Sequence, residues 1–212
     1  MAVGELREIE PAVDPNLPDR LRLFVALEIS TEAKAAMQQA QTELQRKLGR
    51  GCLRWTRPEQ FHLTLKFLGD VDTSRVEALA ETLRTACRGF GPITLRAETV
   101  GTFPNFRSPR VVWVGVSDRL GRLPLLQRAV ENAADKLNAE SQDDSFVGHV
   151  TLGRIKGINR REAENLKQLA IGMADRMFGE WVVTEVGLLR SELFPEGSRH
   201  TTLFRLALSG AS

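Results

Sequence analysis

Two of the chain's three histidines, His62 and His149, open the same four-residue pattern: His62-Leu63-Thr64-Leu65 and His149-Val150-Thr151-Leu152. Imidazole titrates near neutrality, so one pair can supply both halves of general acid and base catalysis: a neutral ring takes a proton from a nucleophile, and a protonated ring gives one to a leaving oxygen. On a strand, Thr64 and Thr151 share a face with their histidines. Each hydroxyl there can donate to a non-bridging phosphate oxygen. The set suits a phosphodiester, whose attacking and departing atoms are both oxygen. A metal is not required and none is expected, since zinc would want three or four ligands and neither cysteine lies near either histidine in the chain. No serine-nucleophile, phosphate-loop or dinucleotide fingerprint is present.

The elements that must carry these residues read as follows. Leu21 to Ile29 is β-rich, and Ser30 or Thr31 can cap the helix after it, whose Ala33, Met37, Ala40, Leu44 and Leu48 recur at helical steps up to Gly49. In FHLTLKFLG, strict alternation places Phe61, Leu63, Leu65 and Phe67 on one face and His62, Thr64 and Lys66 on the other. Asp72 or Thr73 opens a helix to about Cys87, and Ile93 to Thr102 reads as a strand. The second half repeats the order: a strand in RVVWVGVS, a helix in LPLLQRAVENAADKLNA, a strand in FVGHVTLGRI, a helix in REAENLKQLAIGMADRM and a strand in WVVTEVGLLRSEL. HTTLFRLAL adds a last strand with no match in the first half.

Phe24 to Val112 spans 88 positions, His62 to His149 spans 87, and Ile93 to Trp181 spans 88. Such agreement predicts an internal duplication, with repeat units of about 21–103 and 110–195. Two similar lobes related by a pseudo-two-fold axis would bring His62 and His149 together across a cleft. Residues 1–20 carry charges and prolines without apolar periodicity and read as a flexible tail, leaving 21–212 as a single bilobal domain.

Composition sets the outer bounds. With 42% hydrophobic and 26% charged residues the chain is long enough to bury a core, and 29 basic against 27 acidic residues is too even a balance for binding nucleic acid by bulk charge. Any anion must be held by a local cluster. Cys52 and Cys87 are expected as buried free thiols in a reducing compartment. With no membrane-length apolar run and no signal core, a soluble, cytoplasmic protein is expected.

The stretches RLFVALEI, RWTRPEQFHLTLKFLGDV, GTFPNFRSPRVVWVGV, GHVTLGRIK and LLRSELFPEGSRHTTL, in this order, resemble the two-histidine phosphoesterase superfamily and within it the RNA 2',3'-cyclic phosphodiesterases, first described as 2'-5' RNA ligases. The resemblance covers the chain from about Arg22 to Leu208. It implies an α+β, bilobal fold: two lobes of antiparallel sheet and helices around a central V-shaped cleft. It also implies an enzyme that hydrolyses RNA 2',3'-cyclic phosphate ends to 2'-phosphates, with His62 as proton donor, His149 as proton acceptor, and Thr64 and Thr151 on the phosphate. Ligation of such ends to 5'-hydroxyls is the reverse chemistry, and an RNA-end binding protein without catalysis is the third reading. RNA ends are the expected partner, with no cofactor, membrane or protein partner, and a monomer is expected. One departure stands out: Gly148 occupies a position where relatives commonly carry proline, and glycine is expected to loosen the backbone before His149.

Arg154 follows the second motif and is the basic residue best placed to bind phosphate, ahead of Lys66, Arg107 and Arg110. Phe103, Phe106 and Trp113 could stack a base, although core packing is the plainer reading. His200, outside the repeat, is expected to line the cleft or pack without catalytic duty.

Overall fold

The computed structural model describes residues 18–49, 51–136, 146–195 and 197–210. Of the expected tail, residues 1–17 lie outside these, and Arg20 already belongs to the first strand. The chain runs β1 (Arg20–Glu28), α1 (Thr31–Lys47), β2 (Leu53–Trp55), β3 (His62–Asp72), α2 (Val76–Cys87), β4 (Ile93–Phe103), β5 (Val111–Ser117), α3 (Arg122–Asp135), β6 (His149–Ile155), α4 (Arg160–Ile171), β7 (Met177–Val183), β8 (Glu185–Phe194) and β9 (Gly197–Ala207). Two antiparallel sheets result, one ordered β3-β1-β8-β9 and the other β2-β6-β5-β4-β7. The α+β, bilobal duplication is therefore present.

Local chemistry explains the helices. The Ser30 hydroxyl accepts from the Ala33 N–H, and Ala33, Met37, Ala40 and Leu44 bury one stripe of α1. The Asp118 carboxylate gathers the N–H groups of Leu120, Arg122 and Leu123 at the start of α3. Asn159 and Glu162 form a reciprocal capping box on α4. At α2 the expected side-chain cap is absent: Asp72 makes none, and a short 3₁₀ turn leads into the helix instead.

Helices are exchanged between the halves. α2 packs under β8 and β9, and α3 under β3, so both cover the first sheet; α1 packs on β7 and α4 on β4, covering the second. Thus α1 follows a strand of the first sheet yet covers the second, and α3 does the converse. Strands β4 and β8 cross over in the same way. Trp181 Nε1 on β7 donates to the Glu28 carbonyl on β1 at 3.1 Å, tying the sheets together at one end.

Two sequence expectations are corrected here. The segment 181–193 is not one strand: it breaks at Thr184, β7 joining the second sheet and β8 the first. β7 pairs with the first half of β4, Trp181 lying opposite Leu95. The repeat itself survives with a stricter period: His62 pairs with Glu28 and Thr64 with Ala26, while His149 pairs with Gly115 and Thr151 with Trp113, every equivalent being 87 positions apart. Phe24 therefore corresponds to Val111, one residue earlier than the spacing of 88 implied.

Candidate active site

Each histidine sits at the start of its strand, on the sheet face turned away from the helices. Leu63, Leu65, Val150 and Leu152 point into the core, and His62, Thr64, His149 and Thr151 are left partly exposed. β3 and β6 lie against each other, and the charge of His149 acts on His62, so the two halves of the motif form one site.

The rings are held alike. Nδ1 of His62 lies 2.7 Å from the Gln60 carbonyl, and Nδ1 of His149 lies 2.8 Å from the Val147 carbonyl. A carbonyl only accepts, so Nδ1 carries the proton and Nε2 is the nitrogen that can accept one in the neutral ring. Aromatic rings fix the other contacts. His62 packs at 4.9 Å from Phe24 and at 5.1 Å, edge to face, from His200; His149 packs edge to face at 4.9 Å from Phe103, which in turn leans on Trp113. His200 packs directly beside His62 and against Phe24.

Burial pushes the His62 pKa down to about 4, helped by the neighbouring charges of His200, His149 and Lys34 and opposed by the Gln60 carbonyl. His149 is lowered for the same first reason, with Arg154 adding to it. Between pH 6.5 and 4 the unfolded chain binds a proton at residue 62 that the folded chain refuses, so stability falls as pH is lowered through this window. Replacing His62 with Gln is expected to reduce that acid-induced loss by up to about 3 kcal/mol, measured by urea unfolding at each pH.

Beyond the threonines the strands do not alternate as expected. Val25 pairs with Lys66 but Ala26 with Thr64, leaving Leu65 as the extra residue of a β-bulge; likewise Val112 pairs with Gly153 and Trp113 with Thr151, leaving Leu152 extra. A bulge reverses the faces of everything after it. Lys66 therefore leaves the cleft face assigned to it: it is 1% exposed on the helix side, bound to Glu131 at 2.6 Å and 3.6 Å from Asp135, and binds no substrate phosphate. Phe67 moves from its expected core position to the open face, 48% exposed and 6.2 Å from Phe24. At the matching place on β6 stands Arg154, exposed and close enough to act on the His149 charge. Phe67 was missed because bulges leave no mark in an alternating pattern.

Gly148 is also reinterpreted. Its carbonyl accepts from the Val116 N–H at 2.8 Å, and a Cβ at this position would stand 2.3 Å from the Val116 carbonyl oxygen. The glycine permits a close approach that ties the residue before His149 to β5, rather than loosening it. The two half-sites differ in one further way. Where Trp113 fills the floor beside Thr151, its equivalent is Ala26, and a small pocket opens there between His62, Gly187, Leu189 and Thr202. Gly101 makes room for the Trp113 ring, which a Cβ would meet at 2.2 Å. Arg107 and Arg110 lie exposed in and beside the turn before β5, where the Asn105 side chain accepts from the Arg107 and Ser108 N–H groups. Cys52 and Cys87 are buried free thiols. Among the described residues, no helix is long and apolar enough to cross a membrane.

The chain is similar to known proteins in sequence and in fold. The family described as LigT like Phosphoesterase matches the chain twice, over residues 27–113 and 114–200. An RNA 2',3'-cyclic phosphodiesterase of Methanothermobacter thermautotrophicus is 32% identical, covering 88% of this chain and 100% of its own length. One from Archaeoglobus fulgidus is 33% identical, over 84% of this chain and 94% of its own. Among solved structures, TT0787 of Thermus thermophilus superposes with a TM-score of 0.75 at 28% identity, covering 91% of this chain and 100% of that one. E. coli LigT complexed with 3'-AMP shares the fold, with a TM-score of 0.72 at 24% identity over 90% and 99% of the two chains.

Proposed function

Because the chain belongs to the LigT-like phosphoesterase family, with both of its halves matched, we propose that it hydrolyses RNA 2',3'-cyclic phosphate ends to 2'-phosphates, using His62 and His149 as its acid and base. The observation that carries this reading is the pairing of two Nδ1-anchored imidazoles, each with a threonine on its own face, on two strands in contact. Nε2 of His149 takes a proton from water as it attacks phosphorus. Nε2 of His62 delivers one to the departing 3'-oxygen. Thr64 and Thr151 donate to the non-bridging oxygens, and Arg154 neutralises the charge that gathers there. Hydrolysis balances with water alone. His62 is mostly neutral in the free protein at pH 7, and the arriving phosphodiester anion raises its proton affinity, arming it as the acid only when substrate is bound.

The exposed Phe67 ring on the open face offers the terminal base a stacking surface. Phe67→Ala is expected to raise KM by about 5- to 100-fold, the equivalent of about 1–3 kcal/mol, with a smaller effect on kcat. Initial rates on a cyclic-phosphate oligonucleotide measure it; an unchanged KM would remove the base from this position. The site is built wholly within one chain, which supports action as a monomer, and the free thiols favour a cytoplasmic setting.

The test of the reaction uses an oligonucleotide ending in a 2',3'-cyclic phosphate, incubated with the protein and EDTA, followed by identification of the terminal phosphate. A 2'-phosphate is expected. A 3'-phosphate would reverse the polarity of the site, a joined product with 5'-hydroxyl RNA would favour ligation, and binding without turnover would leave an RNA-end receptor.

A further inference from the structure

The two bulges are held by a pair of glutamines. Gln41 on α1 is 4% exposed, and its Nε2 donates to the Leu152 carbonyl at 2.9 Å and to the Thr56 carbonyl at 2.7 Å. Leu152 is the extra residue in the β6 bulge. Gln127 on α3 does the matching thing: its Nε2 lies 3.4 Å from the Leu65 carbonyl, the extra residue of the β3 bulge, and 2.6 Å from Glu131 Oε2. Glu131 in turn accepts from Lys66, the next bulge residue. Gln41 and Gln127 stand 86 positions apart and Leu65 and Leu152 stand 87 apart, so the contact is itself part of the repeat. In each case the helix comes from the half of the chain that does not carry the strand.

We infer that Gln41 and Gln127 are positioning residues for the reaction, each clamping the β-bulge that sets the catalytic face of the other half's strand. A bulge and a regular ladder differ in which residues face the cleft beyond it. Without the bulge, Gly153 would take the place of Arg154 and Lys66 that of Phe67. The Leu152 carbonyl also accepts the Thr56 N–H at 2.9 Å, so Gln41 adds the second bond at this point and joins β6 to the segment after β2. Both N–H bonds of each glutamine amide are thereby committed, one to a bulge carbonyl and one to a neighbour that fixes the amide plane. Positioning of this kind acts on kcat through the alignment of His, Thr and Arg, where a displacement near 1 Å costs about 10²-fold.

The inference rests on the proposed reaction for its kinetic half, and its other half is independent of substrate. Gln41→Met and Gln127→Met keep volume and shape and remove the donors. Gln41→Met is expected to shift the imidazole NMR resonances of His149 and leave those of His62, with Gln127→Met doing the reverse. Each is expected to lower kcat on the cyclic-phosphate oligonucleotide by about tenfold or more; Gln41→Met keeps KM within about threefold of the parent, whereas Gln127→Met, whose bulge also sets Phe67, raises KM as Phe67→Ala does. Wild-type kcat in both variants would overturn the inference, as would resonances of both histidines moving together in each variant, which is what general loosening produces. Should Gln41→Met fail to fold, the half-buried Gln127 carries the test alone. If the parent protein leaves the oligonucleotide uncleaved, the proposed reaction fails while the crossed NMR pattern still decides the clamp.

Discussion

Alanine at either His62 or His149 is expected to lower kcat/KM on a cyclic-phosphate end by about 10²–10⁴-fold while leaving the far-UV spectrum and the unfolding transition in place. The two losses should not add. Acid and base act in one step, so the double variant is expected to fall little below the worse single one. Both rings are partly exposed at strand starts, and their truncation removes aromatic contacts but opens no core cavity. A pH profile sharpens the expectation. The reactive form needs His62 protonated, so its pKa of about 4 in the free protein limits kcat/KM as pH rises above that value, and the bound anion moves the corresponding feature of kcat to higher pH. Coincident optima for kcat and kcat/KM would show that the anion does not rearm His62. Turnover surviving either alanine would end the two-histidine mechanism.

The largest stability effect is expected at Glu131. Lys66 is fully enclosed, and its ammonium is held at 2.6 Å by Glu131 and at 3.6 Å by Asp135. Glu131→Ala leaves that cation with the more distant, part-exposed carboxylate and is expected to cost about 3–5 kcal/mol in denaturant unfolding. Replacing both partners by apolar groups, Lys66→Met with Glu131→Leu, is expected to recover most of the loss, because a buried ion pair is costly to break and cheap to exchange as a unit. Equal destabilisation by the single and double variants would mean that the charges contribute little and the loss is one of packing. Kinetics on the double variant carry a second message, since Glu131 also receives the Gln127 amide. Restored stability with depressed kcat would separate the clamp from the fold.

Much of this was legible in the chain. The two histidines, their threonines and the duplication follow from identical patterns set in strands of one period, and side-chain alternation was enough to put each pair on one face. What lay hidden was decided by contacts distant in sequence. Lys66 and Phe67 exchange faces because a bulge at Leu65 fits the ladder to β1, and nothing local distinguishes a bulged HLTLKF from a regular one. Gly148 reads as loose until the Val116 carbonyl is seen against it. Thr184 reads as mid-strand, yet the chain changes sheets there, because β7 completes the sheet covered by α1 and β8 the sheet covered by α3. Gln41 reads as one more polar residue in a glutamine-rich helix and proves to be buried between two carbonyls.

The exchange of helices and strands also bears on mechanics. Jaws that open do so about a hinge where the chain crosses once or twice, so that few backbone torsions absorb the swing. Here the chain passes between the sheets again and again, from β1 to α1, from β2 to β3, from α2 to β4, from β5 to α3 and from β7 to β8. Any swing would have to turn all of these crossings about one axis while keeping the Trp181 bond to Glu28. The two walls of the groove are laced together, a topology that favours a gap of preset width over one that shuts upon its substrate.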